Sequence, residues 1–279
     1  MHVTIVGVGL IGGSVARDLR RTGFATRLTG VGSTPARTET ALRLGLVDDV
    51  ATLEEAVPGS DLVILAIPVD RIVALLPRVL DRVERQTVID MGSTKQAIVE
   101  AVRHHPRRPR FVATHPMAGT EHSGPAAAID RLFAGKIGVL CDQADSAPDA
   151  LACAEALYAS LEMRLVRMDA ATHDLHAAYV SHLSHVVSYA LALATLAKEQ
   201  DERAIFSLAG GGFASTARLA KSSAAMWTPV FQQNRAAVLD AIDAFRQQLD
   251  ALRDAIDRGD AEAMGRLIES ANRIRRILP

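Results

Sequence analysis

Only two of the 279 residues are cysteine, Cys141 and Cys153. Two cysteines cannot make a disulfide framework, and none stands at a spacing from histidine that suggests a structural zinc site, so both read as reduced core residues. An excess of charge is also missing. With a formal net charge of -1 the chain has no general field to attract nucleic acid or an anionic membrane. Apolar runs such as Leu62 to Val69 are far too short to cross a bilayer, and no charged-then-apolar leader precedes the first strand-like run. These absences lead to an expectation of a cytoplasmic protein with a small-molecule partner, without nucleic acid or membrane.

What is present is a large apolar fraction, 49%, in a chain long enough for two domains. Up to about residue 168, short β-branched runs alternate with helical stretches: Val3 to Val6, Arg27 to Val31, Leu62 to Ile67, Thr87 to Met91, Phe111 to Ala113, Gly138 to Leu140 and Leu165 to Met168. Such alternation predicts an α/β domain with a doubly wound, mostly parallel sheet. Beyond residue 169 the strand signals stop. Alanine- and leucine-rich stretches from Ala170 to Lys198 and from Val230 to Leu278, broken near Gly259, predict an all-α domain. The expected division is 1–168 for a dinucleotide-binding domain and 169–279 for a helical substrate and dimerisation domain. Tyr189 to Leu196 is apolar almost all round, which predicts burial against a second subunit, a homodimer.

Gly7-Val8-Gly9-Leu10-Ile11-Gly12 follows the first strand and opens a helix. In that position the glycines permit a tight turn and close approach of the backbone to a pyrophosphate at the helix N-terminus, so Gly7, Gly9, Leu10, Ile11 and Gly12 are expected to hold a dinucleotide. After the second strand no acid is placed to bind a ribose 2′-hydroxyl. Ser33, Thr34 and Arg37 stand there and suit a 2′-phosphate, which tilts the cofactor from NAD towards NADP. A turn, an N-cap before Pro35 and a solvated arginine explain the same residues equally well. Pro68, after the Leu62 to Ile67 run, is counted with the cofactor residues.

The segment Asp90-Met91-Gly92-Ser93-Thr94-Lys95-Gln96 falls at a strand end on the same sheet edge, where Ser93 can touch both a base and the cofactor. Ser93 and Gln96 also fit a capping box that requires no function. Thr114-His115-Pro116-Met117-Ala118-Gly119-Thr120-Glu121-His122-Ser123-Gly124 carries an imidazole fixed by the following proline beside small residues, suited to a general base. His182 and His185 lie three apart on one helix face and can both enter a cleft. Without acid or thiol ligands at matching spacing they predict no metal. For His173 and His176 a solvated or capping role is expected.

The glycine motif, DMGSTK at 90–95, THPMAGTEHSG at 114–124, SHLSH at 181–185 and GGGFASTARLAKSSAAMW at 210–227 together resemble the prephenate/arogenate dehydrogenase family. The resemblance runs in order through both halves. It implies a Rossmann domain, an intertwined helical dimerisation domain, and oxidative decarboxylation of prephenate or arogenate with NAD or NADP in tyrosine biosynthesis. Loss of hydride from C4 of a cyclohexadiene and loss of the ring carboxylate leave an aromatic phenol, a reaction that asks for a base and for cations at the carboxylates. His115 is expected as the base, oriented by Ser93, and Arg218 as the forked grip on a carboxylate. By resemblance His182, His185, Thr120 and Trp227 line the substrate.

The chain departs from the family pattern at Ser215, where many relatives carry aspartate, at Ala217 in place of threonine, and at Ser184 in place of proline. Loss of the aspartate puts the ion network around Arg218 in doubt and leans towards prephenate over arogenate, whose ammonium an acid would hold. The chain ends at Pro279 after the last helix, so tyrosine is expected to act, if at all, by competition at the active site. A β-hydroxyacid dehydrogenase would need a lysine on the first long interdomain helix, where none precedes Lys198. A non-catalytic nicotinamide sensor would leave His115, Ser93 and Arg218 without a common purpose. The basic run from His104 to Arg110 offers some support for nucleic-acid binding, and a solvated loop explains it as well.

Overall fold

The computed structural model describes residues 1–32 and 34–277; Ser33, expected at the cofactor, lies outside the described residues. The first half contains strands β1 (His2–Val6), β2 (Arg27–Val31), β3 (Asp49–Val50), β4 (Leu62–Leu65), β5 (Thr87–Asp90), β6 (Phe111–Pro116), β7 (Ile137–Cys141) and β8 (Arg164–Met168). Helices α1 (Leu10–Arg21), α2 (Pro35–Arg43), α3 (Leu53–Ala56), α4 (Val69–Leu80), α5 (Gln96–Glu100) and α6 (Pro148–Ser160) connect them. The eight strands form one sheet in the order β3-β2-β1-β4-β5-β6-β7-β8. The seven predicted strands are present, and the two-residue β3 is too short for a periodic signal.

Pairing is parallel from β3 to β6 and between β7 and β8, but β6 and β7 run antiparallel, with His115 opposite Val139. That reversal has a consequence for the site. No crossover α-helix separates β6 from β7, so residues 117–136 return as a largely irregular segment that packs along α1, where the N–H of Ile129 meets Ser14 and that of Arg131 meets Asp18. Alternate residues feed two cores. Val3, Ile5, Leu62, Ile64, Ile89 and Val112 face one, while Val63, Leu65, Val88, Phe111, Ala113 and Val139 face the other. Covered on both faces, the strands read as continuous apolar runs.

The second half is helical: α7 (Ala170–Ala177), α8 (Leu183–Asp201), α9 (Gly211–Ala217), α10 (Ala224–Gln233), α11 (Arg235–Asp257) and α12 (Ala261–Asn272). Gly259, at φ +62°, makes the break between the last two. Helices α7 and α8 are one rod interrupted by a π-helical turn at Ala178–His182. From Ala170 to Asp201 this rod is long and apolar enough by composition to cross a membrane, unlike the short runs visible as uninterrupted apolar sequence. It nevertheless meets the sheet domain at its amino end, through α5 and β7. Further along, Leu193 is 67% exposed in the single chain, a large apolar face of the kind that a partner covers. Helix α10 packs on α4, and its Trp227 and Val230 join the second sheet core. The two halves therefore share a core at the carboxyl edge.

The basic run does not form a free patch. Arg108 donates to the carbonyl of Phe111 at 2.8 Å, and Arg110 grips Asp149 at 2.8 Å and the carbonyl of Gln86 at 3.1 Å, so two of its arginines brace the entry to β6.

Candidate active site

At the cofactor loop, backbone geometry explains each glycine separately. Gly7 has φ +95°, and a Cβ there would lie 2.5 Å from the carbonyl oxygen of Ala66. A Cβ on Gly12 would lie 2.2 Å from the carbonyl oxygen of Gly7. Gly9 differs, since a Cβ there would meet no protein atom within 4 Å. It is the N-cap of α1 and supplies no side-chain cap, so the N–H groups of the first turn are not taken up by a cap side chain, and the space in front of Gly9 is clear. This cradle fits a pyrophosphate. Pro68, exposed at the N-cap of α4, continues the segment Ala66-Ile67 that walls the loop. Thr34 caps α2 by position without a side-chain hydrogen bond, and Thr34 and Arg37 are both exposed at the end of β2.

The tips of β5 and β6 are tied by a buried ion pair that the sequence reading does not single out. Lys95 Nζ donates to Asp90 and, at 2.7 Å, to the carbonyl of Thr114. Asp90 in turn accepts the N–H of Thr114 at 3.0 Å and that of Gly92 at 2.9 Å. Both charges are wholly buried, tolerable because each is hydrogen-bonded as well as paired. The network fixes the backbone next to His115.

His115 is buried, and its Nδ1 lies 2.8 Å from Nε2 of His173. His173 Nδ1 lies 2.8 Å from Oδ1 of Asp174. The same carboxylate accepts the N–H of Lys95 at 2.7 Å and of Gln96 at 2.9 Å. Three expectations are thereby corrected. Ser93 does not cap α5, which begins only at Gln96; the cap comes from Asp174 in the other half of the chain. His115 takes its orientation from His173, which is neither solvated nor a cap, and not from Ser93. Ser93 is half-buried at the end of β5 and makes no side-chain hydrogen bond among the described residues.

The chain of contacts fixes protons as well as rings. With His173 neutral, Asp174 takes its Nδ1–H and leaves its Nε2 as an acceptor, which the Nδ1–H tautomer of His115 satisfies. Nε2 of His115 is left with a bare lone pair and no protein partner among the described residues. Burial, then the neighbouring His173, Lys95 and His182, holds the imidazole well below its ordinary pKa, so it stays neutral.

His182 and His185 are brought together on Trp227. The His185 ring stacks on the indole at 3.5 Å between centroids, and His182 meets it edge-on at 5.7 Å. The π turn makes this possible. Nine positions separate His173 from His182, which on an unbroken α-helix would set them about 180° apart. The turn absorbs an extra residue and swings His182 towards the cluster. His185 Nδ1 donates to the carbonyl of Ser181 at 3.0 Å, and burial lowers its pKa. Burial brings His182 down to about 4.

Arg218, half-exposed, donates to Glu121 at 3.2 Å. Ser215 turns back onto the carbonyl of Gly212 at 3.0 Å, so the acid beside the arginine comes from the segment after β6 and not from α9. A backbone N–H and the Arg218 guanidinium hold the Glu121 carboxyl below its usual range. Thr120 in the same segment accepts the N–H of His122 at 3.3 Å, a local turn contact. Sequence reasoning missed Lys95, Glu121, Asp174 and Asn234. Lys95 and Glu121 stood inside quoted motifs, while Asp174 and Asn234 carried no signal of their own.

Among the described residues no group of three or more histidines, cysteines and acids is arranged to hold a metal. A dinucleotide cradle at the switch point of a parallel sheet, with a neutral histidine on the same edge, defines an oxidoreductase of the nicotinamide-dinucleotide class. The family profile described as prephenate dehydrogenase, nucleotide-binding domain, matches residues 15–167, and that of the dimerization domain matches residues 169–270. The chain belongs to the prephenate dehydrogenase family. It is 32% identical to the prephenate dehydrogenase of Bacillus subtilis over 99% of this chain and 76% of the relative. Among solved structures, prephenate dehydrogenase of A. aeolicus in complex with hydroxyphenyl propionate and NAD+ is 30% identical, with a TM-score of 0.88 over 100% of this chain and 98% of that one. The Synechocystis arogenate dehydrogenase is also 30% identical, with a TM-score of 0.78 and full coverage of both chains.

Proposed function

We propose that this chain is a prephenate dehydrogenase, converting prephenate to 4-hydroxyphenylpyruvate and carbon dioxide in tyrosine biosynthesis. The observation that carries the reading is the bare Nε2 of His115, presented on the cofactor edge by the Asp174–His173 chain. His115 accepts the proton of the C4 hydroxyl. The bound nicotinamide supplies the acceptor for the C4 hydride. The bond to the ring carboxylate then breaks, its electrons pass through the ring to the C4 oxygen, and His115 returns its proton to that oxygen. Net proton balance is zero, and aromaticity drives the step.

Ser93 is assigned to contact both nicotinamide and base, with Gly7, Gly9, Leu10, Ile11, Gly12 and Pro68 holding the dinucleotide. Arg218 grips a carboxylate, and Thr120, His182, His185 and Trp227 line the ring. Residues 1–168 serve the cofactor, and residues 169–279 serve substrate and a homodimer that covers the exposed face of α8. For the second nucleotide position we favour NADP, supported by the missing acid after β2 and by exposed Thr34 and Arg37. The partner set is small-molecule substrate and a second copy, without nucleic acid or membrane, in the cytoplasm.

One observation favours a second reading, arogenate. Glu121 returns an acid to the neighbourhood of Arg218, where an ammonium could meet it. A spectrophotometric assay crossing prephenate and arogenate with NAD and NADP tests all of this. Turnover with prephenate is expected to be the fastest and to favour NADP; no turnover with any pairing would leave only a sensor.

A further inference from the structure

Three of the histidines in the site have their tautomers fixed by neighbours, and one is fixed the opposite way. His115 and His185 each spend Nδ1–H on a protein acceptor and keep a bare Nε2. His182 is held from the other side. The Nδ2 amide of Asn234 donates to the backbone carbonyl of Asp174 at 2.7 Å and lies 3.1 Å from Nδ1 of His182. A carbonyl only accepts, so the amide cannot be flipped, and its second hydrogen points to Nδ1 of His182. That nitrogen must then be bare, and the ring proton sits on Nε2. Nε2 is buried and has no acceptor among the described residues, and neither has the buried Nε1–H of Trp227, whose ring it meets edge-on. Buried donors left unmet are costly and scarce in native structures, and two of them on rings in edge contact point to an acceptor brought by the ligand.

We propose that Asn234 is a positioning residue that locks His182 in the Nε2–H tautomer, making His182 a fixed hydrogen-bond donor to a carboxylate-type oxygen of the bound substrate. Asp174 is the common root of both tautomers. Its side chain sets His173 and through it His115 as acceptor, and its backbone carbonyl sets Asn234 and through it His182 as donor. A bare nitrogen suits a hydroxyl proton; a fixed N–H suits an oxygen that carries none. An uncharged donor also holds a carboxylate without the strong ground-state stabilisation a cation would give, which matters where a carboxylate must leave. The identity of the substrate rests on the dehydrogenase reading; the tautomer does not.

The test uses the full-length chain labelled with ¹⁵N histidine, since nitrogen shifts separate protonated from bare ring nitrogens. In the wild type His182 is expected to show a protonated Nε2 and a bare Nδ1, and Asn234→Asp is expected to invert the pattern. His182→Ala and Asn234→Asp should raise KM for prephenate roughly 10- to 100-fold, the loss of one hydrogen bond to a charged acceptor, while KM for the dinucleotide stays put. His182→Gln, which returns an N–H near the Nε2 position, should recover most of the loss. A protonated Nδ1 in the wild type would overturn the lock. A KM indifferent to His182→Ala would assign the donor to a buried water and overturn the substrate contact. Absence of turnover in the wild type would count against the dehydrogenase reading alone, because the nitrogen spectrum still decides the tautomer.

Discussion

The cofactor loop and the histidine cluster lie on the same sheet edge and are built from different materials. Around Gly7, Gly9 and Gly12 the site is backbone, shaped by where a Cβ would collide and where it would not. Around His115 it is side chain on side chain, with Asp174 meeting α5, His173 and Asn234 across the two halves of the chain. A backbone site is set by a local motif and tolerates change in its neighbours. A side-chain relay is set by tertiary contact, and each member depends on the next.

That contrast can be broken at either end. The largest effect is expected for His115→Asn, which keeps the shape and removes the free Nε2; kcat should fall roughly 10²- to 10⁴-fold with substrate binding largely kept, and undiminished turnover would remove His115 as the base. Arg218→Ala is expected next, with KM for prephenate raised roughly 10- to 100-fold in steady-state kinetics through loss of a charge-assisted contact. On the backbone side, Gly12→Ala should lower both the melting temperature and cofactor affinity, because the added methyl collides with the carbonyl of Gly7. Gly9→Ala should leave melting unchanged and still weaken the dinucleotide, since its methyl would meet no protein atom and would enter the space assigned to the ligand; equal melting losses for the two would erase the distinction. Smallest and broadest is the dependence of stability on pH. His115, His182 and His185 all have folded pKa values below the ordinary 6.5. Above that value they are neutral in both states, and below it the unfolded chain takes up protons that the folded chain refuses. The melting temperature should therefore decline from about pH 6.5 down to about 4, the folded value of His182. A flat profile there would contradict the buried neutral cluster.

How much was legible in the sequence follows the same division. The strands from Val3 to Met168 and the glycine loop are local patterns, period and punctuation, and they emerge with only the short β3 and the antiparallel direction of β7 beyond reach. His115 and Arg218 are singled out by motif segments. The contacts that hold them are not. His173 reads as a helix-end histidine until the fold sets it against His115, and no periodicity announces the π turn that rotates His182 into place. Ser93 and Gln96 have capping-box spacing, yet the helix starts later because Asp174 caps it from elsewhere. Ser215 removes an acid from α9, and Glu121 supplies one by a route that only the reversed β7 and its returning segment explain.

The central claim is that Asp174 and His173 present His115 as a neutral base with a bare Nε2. The pH profile of kcat/KM for prephenate tests it most directly, because it reports the ionisation of the free enzyme. The account predicts an acid limb well below the ordinary imidazole value of 6.5, since burial, then the neighbouring His173, Lys95 and His182, depress this group. It also predicts that the limb moves in His173→Gln. An acid limb at or above 6.5, unmoved by that substitution, would contradict it.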